Sequence, residues 1–256
     1  MNSNTLYRFT RAIKWLMTGT AAQRRRVRME MARISAGLFG DFPLSDDYKA
    51  WREDKQFQID YRRLSPGSPY SQDRKWAVRE FVKLSNDLPG DMAECGCYEG
   101  ATAFFMAQAS SSGTLYLFDS FQGISSPEAR DRHDRSDVMG WSKGDLSSNE
   151  RKLHSNLACF KSIDVLPGWI PERFHEVAER KFRIVHIDVD LYQPTRDSLE
   201  FFYPRLVAGG IIVMDDYGFL TCPGAKIAAD EFSQAVGVQV LHLPTGQGVI
   251  IRHTTS

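Results

Sequence analysis

Three aspartates follow two apolar segments, and they are the residues of this chain best suited to bind a cation. Asp188 comes after Arg183–Ile187, and Asp215 with Asp216 comes after Gly210–Met214. If the two segments are adjacent parallel strands, about 4.8 Å apart, the three carboxylates converge at one edge of a sheet. Carboxylates this close repel one another unless a cation neutralises them, and all-oxygen ligands favour a hard ion. The pattern therefore predicts a Mg²⁺ site.

A second group of residues is suited to bind a nucleoside. The loop Glu94–Thr102 has the spacing E-x-G-x-x-x-G. Gly96 and Gly100 allow a tight turn and a close approach to a ligand, and the helix that follows offers free N–H groups to an anion. Asp119 ends the next predicted strand, where a carboxylate can accept hydrogen bonds from ribose hydroxyls. Because Tyr98 replaces a glycine that dinucleotide loops require, the loop favours S-adenosylmethionine over a dinucleotide.

These residues need a parallel sheet to bring them together, and the hydrophobic pattern predicts one. Short apolar segments alternate with helical stretches from residue 73 onward. The predicted strands are Met92–Cys95, Thr114–Phe118, Phe160–Val165, Arg183–Ile187, Gly210–Met214, Val238–Leu243 and Val249–Arg252, and the predicted helices are 73–86, Ala101–Ala109, 195–203 and Lys226–Ala235. This alternation predicts a doubly wound α/β fold. The last two strands are too close for a crossover helix, so we expect an antiparallel hairpin.

The first 72 residues differ from the rest, and we predict two regions: an arm with a lid or connector over 1–72, and the α/β domain over 73–256. Apolar residues recur at helical spacing over 5–36. The segment 37–70 is rich in turn residues and aromatics, which is typical of a connector or lid.

The net charge of zero hides an uneven distribution. Residues 1–40 hold eight basic residues and one acid, and the rest of the chain holds 24 basic and 31 acidic residues. We consider two roles for this basic arm. It packs on another subunit of a homo-oligomer, or it brings the protein to an anionic membrane surface. We do not expect a nucleic-acid partner.

Composition excludes several classes of protein. The longest apolar-or-glycine run, 206–214, has nine residues, whereas a membrane-spanning helix needs about 20. Basic residues interrupt every apolar stretch near the N-terminus, so a signal peptide is not expected. The four cysteines are too few and too scattered for a disulfide scaffold. These features predict a cytoplasmic protein. Peripheral contact with the inner face of the membrane is the one form of membrane association that we consider.

Residues 92–252 resemble the macrocin O-methyltransferase (TylF-type) family. The resemblance is carried by the segments Glu94–Thr102, Leu117–Gly123, Leu166–Trp169, His186–Tyr192 and Gly209–Tyr217. It implies a class I methyltransferase fold, Rossmann-like, with a mostly parallel seven-stranded sheet. It also implies an enzyme that methylates a sugar hydroxyl with S-adenosylmethionine and Mg²⁺. The acceptor would be a small-molecule or lipid-linked sugar, as part of a glycosylated natural product or a surface-glycan intermediate.

The resemblance also implies roles for individual residues. Cofactor-binding roles fall on Glu94, Gly96, Tyr98, Gly100, Thr102, Asp119, Gly168 and Trp169, with Asp119 at the ribose and the last two near the adenine. The metal ligands implied are Asp188, Asp215 and Asp216. His186 precedes the first of them on a buried strand, and we predict a supporting role for it.

The general base is left open. The glycine loop also resembles that of catechol-type O-methyltransferases, which have a lysine three residues after the first metal aspartate, and this chain has Leu191 there. His133, in a charged loop that follows the ribose-binding strand, is one candidate. Asp190 is the other, unless it is a fourth metal ligand. Asp188 is counted among the catalytic residues because the cation it holds would orient the acceptor.

Two alternative functions remain at this stage. A catechol- or phenol-directed methyltransferase is one, because the aromatic connector could build such a pocket. The other is a non-catalytic binding module on the same fold, tethered through its basic arm. The acids at both strand ends argue against it, since a module without a reaction has no use for a metal site.

Overall fold

The computed structural model describes residues 12–20, 23–24, 27, 31, 49–66, 71–133 and 140–253, and the structural statements below concern these residues. The chain forms two compact units, 1–54 and 55–256. In the first unit, residues 12–18 are helical and a short helix spans Ala50–Glu53. Most of the predicted helical segment 5–36 lies outside the described residues. No described helix is both long enough and apolar enough to cross a membrane.

The second unit contains a seven-stranded sheet. Its strands are β1 (Asp91–Cys95), β2 (Leu115–Asp119), β3 (Ile163–Pro167), β4 (Phe182–Ile187), β5 (Leu206–Met214), β6 (Leu241–His242) and β7 (Gly248–Ile251). They lie in the order β3-β2-β1-β4-β5-β7-β6. The first five are mutually parallel, and β7 runs antiparallel to both β5 and β6. The predicted doubly wound α/β fold and its C-terminal hairpin are confirmed.

The helices of this unit connect the strands. They are α1 (Lys55–Leu64), α2 (Gln72–Leu84), α3 (Ala101–Ala109), α4 (Glu150–Leu157), α5 (Tyr192–Phe202) and α6 (Pro223–Val236). The four predicted helices correspond to α2, α3, α5 and α6 within three residues at each end. The sequence analysis missed α1 and α4.

Helix α1 corrects the interpretation of 37–70 as a connector or lid, which is wrong for 55–64. Phe57, Tyr61 and Leu64 recur at the spacing of one helix face, and all three are buried. The ring of Phe57 packs against Phe105 of α3, with ring centroids 4.5 Å apart. Two of the aromatic residues that suggested a lid, Phe57 and Tyr61, therefore form part of the core.

An aromatic cluster ties the sheet to α5. Phe202 of α5 contacts Phe118 of β2 and Phe182 of β4, with ring centroids 5.9 and 5.1 Å apart. All three side chains are almost fully buried. Burial of side chains of this size stabilises a fold by about 2–3 kcal/mol each, so the cluster fixes the centre of the sheet from which the site residues extend.

The strand register explains why the site residues meet. Cys95 at the end of β1 pairs with Ile187 at the end of β4, and Ile187 pairs with Met214 at the end of β5. The residues that follow these strands therefore emerge at the same edge of the sheet. This edge is where doubly wound proteins bind ligands.

Candidate active site

The loop after β1 turns sharply because of Gly96. Its φ is +82°, which favours glycine. A Cβ atom at this position would overlap the carbonyl oxygen of Asp188. The glycine therefore lets the ends of β1 and β4 approach each other closely.

Asp119, predicted to bind ribose, organises this loop. Its Oδ2 accepts hydrogen bonds from the backbone N–H groups of Cys97 and Tyr98, at 2.7 and 2.8 Å. Its Oδ1 accepts one from the N–H of Phe121 at 2.7 Å. A carboxylate has about four acceptor positions, so about one remains for a ribose hydroxyl. Asp119 cannot accept from both hydroxyls without giving up a loop contact.

A cavity of about 460 Å³ opens beside the loop, a size typical of small-molecule sites. Five of the predicted cofactor residues line it: Gly96, Tyr98, Asp119, Gly168 and Trp169. Ile124 and Leu146 supply apolar wall that the sequence analysis did not assign to the site. Lys75 of α2 also lines it, far away in sequence, and no local motif pointed to it.

The other three predicted cofactor residues, Glu94, Gly100 and Thr102, do not line the cavity. Gly100, with φ +80°, lies where an added Cβ would be 3.3 Å from the side chains of Leu153 and Leu157, so its lack of a side chain serves the packing of α4. Thr102 is buried in α3, and Glu94 is buried within β1. These positions shape the loop from beneath.

The acids after β4 and β5 form two clusters. Carboxylate oxygens of Asp188 and Asp215 and a ring nitrogen of His186 lie within 4.8 Å of one another, and so do ligand atoms of Asp190, Asp216 and Cys222. The three predicted metal ligands are thus neighbours at one edge but divide between the clusters. Within the second cluster, the backbone N–H of Asp190 donates a hydrogen bond to Asp216 Oδ2 at 2.9 Å.

Asp215 is surrounded by donors. Its Oδ1 accepts from Gln247 at 2.8 Å and from His186 Nε2 at 3.4 Å, and its Oδ2 forms an ion pair with Arg74 of α2. Burial raises the pKa of Asp215, but the hydrogen bond from His186 and the charge of Arg74 outweigh it, and the net pKa lies below its ordinary value. Asp215 is therefore an anion.

His186 lies between two acids, as a buried supporting residue. Its Nδ1 is 3.0 Å from Glu94 Oε1, and its Nε2 faces Asp215. Burial lowers the pKa of His186, but the hydrogen bonds that its ring donates to Asp215 and Glu94 dominate and raise the pKa to about 10. The imidazole is thus protonated at neutral pH in the metal-free protein and lies between the two carboxylates.

The remaining acids lie buried and close to one another, which disfavours their ionisation without a further positive charge. Burial and the charge of Asp215 raise the pKa of Asp188 to about 7. Burial also raises the pKa of Asp190 to about 6, with Asp215 contributing, although a hydrogen bond from Cys222 opposes the shift. The pKa of Asp216 is raised by burial and by the charges of Asp190 and Asp188. A set of oxygen donors with excess negative charge fits a hard divalent cation.

The two base candidates have different surroundings. Asp190 lines the cavity, with φ +60°. His133 does not line it, and the neighbouring residues 134–139 lie outside the described part of the chain. Nearby, Asp131 accepts a hydrogen bond from the backbone N–H of Tyr192 at 2.7 Å, which anchors this loop to the start of α5.

The fold and the site together define a class I methyltransferase, with a glycine loop after β1 and acids after β4 and β5. Solved structures of that class share the fold. The O-methyltransferase NovP matches with a TM-score of 0.61 and 24% identity, over 76% of this chain and 88% of that one. The calicheamicin methyltransferase CalS11 matches with a TM-score of 0.62 and 17% identity, over 87% of this chain and 91% of that one.

Sequence comparison gives the family. Residues 73–243 match the macrocin-O-methyltransferase (TylF) family, and the chain belongs to it. A Streptomyces olivaceus tetracenomycin-C 4'-O-methyltransferase is 28% identical over 68% of this chain and 69% of its own length. The Streptomyces niveus demethyldecarbamoylnovobiocin O-methyltransferase is 30% identical over 60% of this chain and 63% of its own. The predicted family resemblance and the prediction of an O-methyltransferase are confirmed. Both argue against the alternative of a non-catalytic binding module.

Proposed function

We propose that this enzyme transfers a methyl group from S-adenosylmethionine to a sugar hydroxyl of a glycosylated small molecule, with Mg²⁺ as its metal. One observation carries the proposal. Asp188 and Asp190 line the same cavity as Gly96, Asp119 and Trp169, which supports a cation site next to a nucleoside site. The name of the Streptomyces olivaceus relative supports a sugar acceptor, because it describes a 4'-O-methyltransferase for a tetracenomycin that carries a dimethoxy-rhamnosyl group.

In this proposal the cofactor lies along the cavity wall formed by the β1 loop. Gly96 and Tyr98 border its methionine part, and the remaining acceptor position of Asp119 holds one ribose hydroxyl. Trp169 and the apolar side chains of Ile124 and Leu146 enclose the adenine, because they supply the apolar wall of the cavity. Glu94, Gly100 and Thr102 act by shaping the loop and α3.

The acids after β4 and β5 form what we call the acidic edge (Asp188, Asp190, Asp215 and Asp216), which would hold the metal and the acceptor. Asp188, Asp215 and Asp216 would hold Mg²⁺, with Asp190 beside them. When bound, Mg²⁺ would lower the pKa of a coordinated hydroxyl. S-adenosylmethionine would supply the methyl group, and its sulfonium would become a neutral thioether. The work of the chain is to align the acceptor oxygen with that methyl group and to exclude water.

Asp190 is the base that this geometry favours. A general base works best when its pKa lies near the working pH, and burial raises the pKa of Asp190 to about 6. It lines the cavity where an acceptor would lie. His133 stays a candidate only if the loop that carries it comes to the cavity.

An acceptor panel tests the proposal. The enzyme is incubated with isotope-labelled S-adenosylmethionine, Mg²⁺ and two sets of acceptors, glycosylated small molecules and simple catechols. We expect label in the sugars and none in the catechols. Label in catechols alone would replace the sugar proposal with the catechol-type alternative, and failure to bind S-adenosylmethionine by calorimetry would overturn the cofactor assignment.

A further inference from the structure

Arg74, in the first turns of α2, reaches the acidic edge. Its guanidinium forms an ion pair with Oδ2 of Asp215 and lies over the ring of Phe219, with Cζ 4.7 Å from the ring centroid. The side chain is 23% exposed. A cation belonging to the chain itself thus lies against one of the proposed metal ligands.

The hydrogen bonds of Asp215 leave only one of its two carboxylate oxygens available to a metal ion. Each carboxylate oxygen has two acceptor positions. On Oδ1 both face donors, His186 Nε2 at 3.4 Å and Gln247 Nε2 at 2.8 Å, within the buried interior. The other oxygen, Oδ2, is paired with Arg74. Among the described contacts, a divalent ion can therefore reach Asp215 through Oδ2, the oxygen that Arg74 contacts.

Electrostatics make the two cations competitors. The charges of Asp215, Asp188 and Asp216 raise the pKa of Arg74 although its burial lowers it, so the guanidinium stays charged. Two cations that share one carboxylate oxygen repel each other, and in a partly buried site this repulsion is weakly screened.

The surrounding contacts hold Arg74 in this position. Gln58 Nε2 donates to Gln72 Oε1 at 3.0 Å, and the hydroxyls of Tyr61 and Ser71 are 3.2 Å apart, so α1 fixes the start of α2. The ring of Phe219 offers the guanidinium a second favourable contact that does not involve Asp215.

We propose that Arg74 is a built-in counter-ion, which neutralises Asp215 in the metal-free enzyme and leaves it when a divalent cation binds. The inference rests on the proposed Mg²⁺ site. It makes Arg74 a positioning residue: it holds the acidic edge together without metal and lowers the affinity for metal. After release, the guanidinium keeps its contact with Phe219.

Metal affinity of two charge variants tests this inference. Mn²⁺ binding is measured by electron paramagnetic resonance for the wild type, for Arg74→Gln and for Lys83→Gln, a control that removes an exposed positive charge from the same helix. We expect Arg74→Gln to bind Mn²⁺ about tenfold more tightly than the wild type, because one like charge near the ion is gone, and Lys83→Gln to bind as the wild type does. In EDTA, Arg74→Gln should have a lower Tm than the wild type, and Mg²⁺ should restore most of the difference.

Other results would overturn the inference, and they separate its failure from failure of the proposed Mg²⁺ site. Unchanged or weaker Mn²⁺ binding by folded Arg74→Gln shows that Arg74 does not compete with the metal, and leaves the Mg²⁺ site standing. Absence of Mn²⁺ binding in all three proteins removes the proposed metal site and this inference with it. If Arg74→Gln does not fold, ¹⁵N-arginine spectra of the wild type decide, with the Arg74 resonance assigned through Arg74→Lys. That resonance must shift on Mg²⁺ saturation, and an unchanged resonance overturns the inference.

Discussion

At the residue scale, the site depends on charged side chains that are far apart in the sequence, such as Arg74 and Asp215. The acids after β4 and β5 could be recognised because strand ends converge in a parallel sheet. Nothing in the local sequence shows that Arg74, 141 positions before Asp215, supplies its counter-charge. Long-range pairs of this kind need the fold, since side-chain chemistry alone does not select one arginine among many.

The hydrogen bonds of Asp119 lead to a prediction about loop order. Asp119→Ala removes the acceptor for three backbone N–H groups at once, so both the loop and cofactor affinity should suffer. We expect the Kd for S-adenosylmethionine to rise at least about tenfold, since each hydrogen bond to a charged group contributes about 1.5–3 kcal/mol. Calorimetry measures this. Asp164→Ala, on an exposed position of β3, is the control, and an Asp119→Ala protein with control-like affinity would remove Asp119 from the site.

The base assignment leads to a prediction about rate. Asp190→Asn should lower kcat by about 10²–10⁴, the usual contribution of a positioned base, while the Kd for S-adenosylmethionine stays within a few-fold. Single-turnover methyl transfer measures the chemical step. Asp197→Asn, a matched change on α5 outside the cavity lining, should behave as the wild type. An Asp190→Asn enzyme with full turnover would pass the base role to His133 or to water.

The raised pKa of Asp188 leads to a prediction about pH. The folded metal-free protein holds the Asp188 proton with a pKa of about 7 against an ordinary 3.8, so folding favours the protonated acid. Its contribution to stability is full below about pH 4 and is lost as the pH rises toward 7. Urea denaturation in EDTA at pH 5 and pH 7 should show a smaller decrease for Asp188→Asn than for the wild type. Equal decreases in the two proteins would contradict this electrostatic account.

At the element scale, strands and helices followed hydrophobic periodicity closely wherever one face was apolar. Helices α2, α3, α5 and α6 and the five parallel strands were found within a few residues. Helix α1 was missed although Phe57 and Tyr61 had helical spacing, because Pro66 and the turn residues around it favoured a connector. Helix α4 was missed because only Leu153 and Leu157 mark its apolar face, and the packing against Gly100 that selects it is tertiary.

Arg183 is a buried arginine at the start of β4, at the end away from the site, and we expect its hydrogen bonds to stabilise the sheet. Arg183 donates to the carbonyl of Gly90 at 2.7 Å, to Ser110 Oγ at 2.6 Å and to the carbonyl of Ser112 at 2.7 Å. Arg183→Met removes a buried donor from three partly buried hydrogen bonds and should lower the free energy of unfolding by about 2–4 kcal/mol. Arg180→Met, which removes an exposed arginine 4.0 Å from Asp91, should cost less than about 1 kcal/mol. Similar small losses for the two variants, by urea denaturation, would contradict the role of Arg183.

At the scale of the whole molecule, the acidic excess of the chain has a partial local cause. The site gathers four aspartates and Glu94, and among the described residues His186 and Arg74 form ion pairs with Asp215, and His186 also with Glu94. A net charge near zero therefore reflects a basic arm combined with an acidic enzyme, rather than an even distribution. Composition alone showed the imbalance but not where the acids meet.

For the basic arm, we propose a role in the assembly of a homo-oligomer rather than in contact with a membrane. Deletion of residues 1–36 should then reduce the oligomer to smaller species in sedimentation, and leave binding to anionic vesicles as weak as in the full chain. Loss of vesicle binding without a change in oligomer size would favour the membrane role instead.

The central claim is that one cavity combines a methyl donor with a metal-bound sugar acceptor. The measurement that tests it most directly is methyl transfer to a sugar acceptor, in Mg²⁺ and in EDTA, by the wild type and by Asp215→Asn with Asp216→Asn. We predict turnover by the wild type in Mg²⁺, loss of at least about 10²-fold in EDTA with recovery on added Mg²⁺, and no recovery in the double variant. Full turnover in EDTA, or by the double variant, would contradict the claim.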